Sequence, residues 1–105
     1  MMSQADQRWL RGLMARFGVR KLRVRSSPSA AKWPDCWISL SRPPVLTVTR
    51  EWARQPAEER HKRLVHEVVG HLALGLDHGY HNELNFDTRP EQDEWSRNMY
   101  RKLAA

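Results

Sequence analysis

The chain has 105 residues, 40% of them apolar and 29% charged, with a single cysteine. This length excludes more than one ordinary domain, since domains typically run to roughly 100–150 residues, and the composition excludes the low-hydrophobicity profile of a disordered chain. The formal charge of +6 is uneven, with eight Lys or Arg against one acid in residues 1–34 and ten against eleven in residues 35–105.

Residues 5–17 place Trp9, Leu10, Leu13, Met14 and Phe17 at helical spacing with Gly18 as a terminator, which predicts an amphipathic first helix. Residues 19–25 alternate apolar and basic side chains, the period-two pattern of a strand with one wet face. Residues 26–34, rich in Ser, Ala and Pro, read as a loop, and residues 36–40 and 45–49 give two further short strands on either side of Pro43 and Pro44. Pro56, Glu58 and Glu59 open a long central helix running through Leu64, Val65, Val68, Val69, Leu72 and Leu76. Pro90 opens a last helix carrying Trp95, Met99 and Leu103 and ending in Arg101 and Lys102. The expected order is helix, three strands, helix, loop, helix, an α+β domain over residues 1–105 with a small three-stranded sheet.

No apolar stretch approaches the roughly 20 residues needed to cross a bilayer, and the first residues lack the pattern of a secretory signal, so no membrane partner is expected and cytoplasmic residence is the default. Cys36 alone makes neither an internal disulfide nor a four-cysteine zinc knuckle; it reads as a small buried hydrophobe. Arg16, Arg20, Lys21, Arg23, Arg25 and Lys32 form a basic field able to steer a nucleic acid, an acidic protein segment or an anionic surface. No helix-turn-helix, zinc-finger or stacking pattern accompanies it.

The chemistry is concentrated between residues 66 and 81, which hold three of the five glycines and four of the five histidines. Zinc in catalytic sites favours neutral imidazoles with one position left open, and a neighbouring carboxylate takes a proton from the attacking water. His66, Glu67, His71 and His78 supply that inventory. Residues four apart on an α-helix lie about 40° apart around its axis, but residues five apart lie about 140° apart. Regular geometry would therefore misalign His66 and His71, and a one-residue π-bulge between Glu67 and His71, helped by Gly70, is expected to restore their convergence. Gly75 would turn the chain so that His78 returns to the metal as third ligand, with His81, Glu91 and Glu94 as alternatives. His61 sits among charged residues and is expected to be exposed.

This segment resembles the zincin metallopeptidases, whose signature is His-Glu-x-x-His, extended by x-x-Gly-x-x-His in the metzincins. It departs from that pattern by three residues in place of two between Glu67 and His71, and again between His71 and Gly75, while Gly75-x-x-His78 keeps its offset. Dipeptidyl peptidase III is similar over six residues through its His-Glu-x-x-Gly-His helix, matched here by His66, Glu67, Gly70 and His71. The small SprT-like metallopeptidase domains are similar in layout over about residues 37–86. The resemblance implies a minimal zincin-like fold and a zinc-dependent peptidase in which His66, His71 and His78 hold the ion and Glu67 is the general base. Tyr80 or His81 would stabilise the oxyanion, Asp77 and Asn82 would orient the imidazoles, and residues 45–49 would form the strand edge that receives an extended peptide. Asn98-Met99-Tyr100 invites comparison with the metzincin methionine turn, but Met99 falls at core spacing. The substrate would be a peptide or protein, and so small a domain would need a partner or a second copy, as in a homodimer, to select it. The rival reading is a noncatalytic metal-binding domain that associates with nucleic acid through its basic first third.

Overall fold

The computed structural model describes residues 2–27, 36–76 and 89–104, with side chains in the last helix described from residue 94 onward. Helix α1 (Gln4–Arg16) begins at Ser3, whose hydroxyl accepts from the Asp6 amide. It closes at Gly18 (φ 68°), with Val19 N–H donating to Met14 O at 2.9 Å and Gly18 N–H to Ala15 O at 3.4 Å, the paired bonds of a Schellman motif. Val19 is thereby used in the cap, so strand β1 begins later than its alternating pattern suggests and runs Arg23–Ser27.

Strands β2 (Cys36–Ser39) and β3 (Val45–Thr49) complete a mixed sheet of order β1-β3-β2. β3 pairs in parallel with β1 (Val24 opposite Leu46) and antiparallel with β2 (Ile38 opposite Leu46). The central place of β3 explains its burial, since Leu46, Thr47, Val48 and Thr49 are all at most 2% exposed. It also corrects the expectation for residues 45–49: both edges of β3 are already paired, so no substrate strand adds there.

Thr49 ends the strand and caps α2 (Arg50–Arg54), a one-turn helix that periodicity did not reveal, by accepting from the Trp52 amide at 3.2 Å. Trp52 is fully buried, and its indole N–H donates to Arg60 O at 3.1 Å. The chain then enters α3 (Ala57–Leu64), which continues without interruption into a π-helical segment, Val65–Ala73. Helix α4 (Arg89–Ala104) packs against both. Leu46, Val48, Trp52, Leu64, Val65, Val68 and Val69 form the completely buried centre; burying each such side chain contributes about 1.5–3 kcal/mol. Cys36 is buried and Met99 packs on the core, as their spacing implies.

His61 is not exposed. Its Nε2 lies 2.9 Å from the carboxylate of Asp6, its ring stacks on Trp9 with centroids 4.2 Å apart, and Arg60 grips the same carboxylate through Nε at 3.0 Å. The surrounding charged residues suggested solvent, whereas α1 supplies a buried acid and an indole face.

Candidate metal centre

The π-helical segment sets the geometry of the histidine pair. Bonding from residue i to i+5 widens each turn, so that residues five apart take up the neighbouring positions that residues four apart occupy in an α-helix. His66 Nε2 and His71 Nε2 accordingly lie 3.1 Å apart, with ring planes 83° from parallel. The expected distortion is present but longer than one bulged residue: it covers Val65–Ala73, and so includes the three-residue spacing between Glu67 and His71 and ends within the one that follows. At its end Leu74 N–H donates to Val69 O and Leu76 N–H to Gly70 O at 2.8 Å, around Gly75 at φ 67°. The closing bond spans one residue more than the equivalent bond at Gly18, as a widened turn requires.

Gly70 has a second role. A Cβ there would meet Trp95 Cζ3 at 3.3 Å, so the bare backbone is what admits the α4 indole against the π-helical segment. The same packing brings in Ser96, 1% exposed, whose Oγ lies 3.2 Å from His66 Nδ1. On the opposite ring, His71 Nδ1 lies 2.6 Å from Leu76 O. A carbonyl only accepts, so His71 carries its proton on Nδ1 and turns a lone pair at Nε2 toward His66. Arg97 fixes the neighbouring turn of α4 by pairing with Glu59 at 3.3 Å, and the 3%-exposed Lys62 meets the same glutamate at 2.7 Å.

Glu67 completes the group: one oxygen of its carboxylate and one nitrogen of each histidine all lie within 4.8 Å of one another. Burial pushes its carboxyl up to about 8, against the opposing effects of a hydrogen bond from the Ile38 backbone and the charge of Arg63. Ile38 belongs to β2, so the edge strand beside the candidate centre is β2.

Two nitrogens on one tetrahedral zinc, at 2.0–2.1 Å each, stand about 3.3 Å apart. The observed separation is within a few tenths of that value, the outer nitrogens of both rings have polar partners, and the donor set of two imidazoles and a carboxylate suits zinc. The residues present therefore fit a metal ion. Their 3.1 Å contact is satisfied by a proton on one nitrogen or by a cation held between the two.

Of the remaining predicted site residues, His78, Tyr80, His81, Asp77, Asn82 and the side chain of Glu91 lie outside the described residues, and Glu94 is exposed and not part of the group. The orienting partners that are described, Ser96 and the Leu76 carbonyl, are ones the sequence reading did not name. Ser96 had a signal: it lies three and seven residues before Met99 and Leu103, a hydroxyl on an otherwise apolar stripe. No helix among the described residues is long and apolar enough to cross a membrane. Comparison with protein-family models, with curated proteins and with solved structures found no match to this chain.

Proposed function

We propose that this chain is a zinc-dependent peptidase of minimal zincin-like build. The observation that carries the reading is the convergence of the His66 and His71 Nε2 atoms at 3.1 Å beside the Glu67 carboxylate, across a helix turn widened to permit it. His66 and His71 hold the ion, with His78 as the third ligand. Zinc, when bound, supplies Lewis acidity toward water and toward the scissile carbonyl.

Glu67 accepts the proton of the attacking water on its carboxylate and delivers it to the departing amine. The Ile38 amide orients that carboxylate, Ser96 and the Leu76 carbonyl fix the two rings, and Tyr80 donates to the developing oxyanion. An extended substrate is placed along β2, the strand next to Glu67. Two of the exposed large apolar side chains, Leu40 and Leu74, directly follow β2 and the π-helical segment and give it apolar surface to meet.

Elemental analysis of tag-free protein, combined with hydrolysis of an unfolded protein by wild type and Glu67→Gln, tests the proposal. Zinc retained with hydrolysis lost by roughly a hundredfold or more is expected. Equal hydrolysis by the variant sinks the assignment, and zinc without any hydrolysis leaves a metal-binding domain that is not a peptidase.

A further inference from the structure

The basic surface has a shape as well as a charge. β1 is paired on one side only among the described residues, and four of its five residues, from Arg23 to Ser26, are exposed. Arg23 N–H donates inward to Pro44 O at 2.9 Å, which fixes the alternation: Arg23 and Arg25 turn their backbone groups toward β3, and Val24 and Ser26 turn theirs to the open edge. Between this edge and α1 runs an open groove of about 510 Å³, lined by Met2, Leu10, Met14, Leu22, Val24 and the exposed Arg11. The side chains of Val24 and Ser26 face the groove, so those of Arg23 and Arg25 lie on the other face of the strand.

Charge selects the occupant. The only acid in residues 1–34 is Asp6, which is buried and engaged by Arg60 and His61, so no other acid of that stretch of sequence offsets Arg11, Arg20, Lys21, Arg23 and Arg25. A second copy of so basic a chain would repel the first, and an aliphatic, methionine-lined groove offers no aromatic face on which a nucleobase could stack. We infer that the β1 edge and its groove bind an acidic protein segment as an added strand, one that alternates apolar residues facing the groove with Asp or Glu facing Arg23 and Arg25. Backbone bonds to Val24 and Ser26 supply the pairing, and the side-chain alternation supplies the selectivity. This surface is distinct from the metal centre, and the inference does not depend on peptidase activity.

The test titrates a short peptide alternating valine with glutamate into isotope-labelled full-length chain, observed by amide resonances. The Val24 and Ser26 amides are expected to shift, with binding that weakens as salt rises. Arg23→Glu combined with Arg25→Glu is expected to weaken the peptide about tenfold and to gain binding of a peptide alternating valine with lysine, while circular dichroism stays unchanged. Absence of shifts at Val24 and Ser26 at millimolar peptide, or affinity indifferent to the charge reversal, overturns the inference. A single-stranded oligonucleotide that displaces the peptide from these residues also overturns it and assigns the surface to nucleic acid.

Discussion

Ser96 and Glu67 determine what the histidine pair can do, and each makes a distinct prediction. Ser96→Ala removes the hydroxyl at 3.2 Å from His66 Nδ1 without adding bulk, so zinc affinity measured against a competing chelator should fall by about tenfold while the fold persists. Glu67, whose buried carboxyl titrates near 8, holds its proton more tightly folded than unfolded. Metal-free protein should therefore lose stability as pH rises from about 5 to 8, because the unfolded chain ionises this acid freely and the folded chain does not. Glu67→Gln should flatten that slope, and scanning calorimetry across the range checks both. The histidines, Glu67 and the need for a widened turn were legible because they are matters of spacing along one segment. The stripe around Ser96 pointed to its burial but not to its partner, and Ile38 carried no such signal, since the two reach the site from 30 residues downstream and from a strand edge, and no local periodicity encodes which surfaces will meet.

Among the elements, the two glycine-closed helix ends can be compared directly. Gly75 stands at φ 67°, a conformation in which a Cβ is strained, and it sends Leu76 O back to His71. Gly75→Ala should cost about 1 kcal/mol in thermal unfolding and also weaken zinc binding, whereas Gly18→Ala, at φ 68° but far in sequence from the centre, should show the stability loss alone. The Asp6 cluster joins α1 to α3 and carries its own pH signature. Burial would raise the Asp6 carboxyl, but hydrogen bonds and charge from Arg60 and His61 outweigh it and hold the group below its ordinary value of 3.8. An acid depressed in this way stabilises the fold above its unfolded pKa, and that contribution is lost as pH falls below about 3.8 toward the folded value. Asp6→Asn should flatten the acid limb of the melting curve. The presence of three strands was readable, the first from alternation and the other two as short runs around Pro43 and Pro44, and the extent of Val45–Thr49 was readable too. Their order was not, because pairing parallel to β1 across an intervening strand is a long-range choice that hydrophobic pattern leaves open.

At the scale of the whole molecule, the Cα radius of gyration of 12.9 Å is what a compact chain of this length shows. A domain this small has a modest stability, so a bound ion becomes a large fraction of it. Zinc at about a hundred times its dissociation constant adds about 2.7 kcal/mol, which for a chain of this size corresponds to a rise in Tm of on the order of 10 °C. Calorimetry with and without zinc should show that rise in wild type and lose most of it in His71→Ala; no rise in wild type would remove the metal centre.

The hydrogen bond from Ile38 to Glu67 has a kinetic meaning. Strands β2 and β3 are joined by a short connection and can pair early, and the central helix can coil locally, but neither event alone produces a centre drawn from residue 38, residues 66–76 and residue 96. The donor set comes into being only when sheet edge, widened helix and last helix have all docked. Rapid-mixing experiments should therefore find that uptake of the ion coincides with the final folding phase. An ion bound there would then act as a latch on the finished structure, slowing its unfolding without seeding its formation.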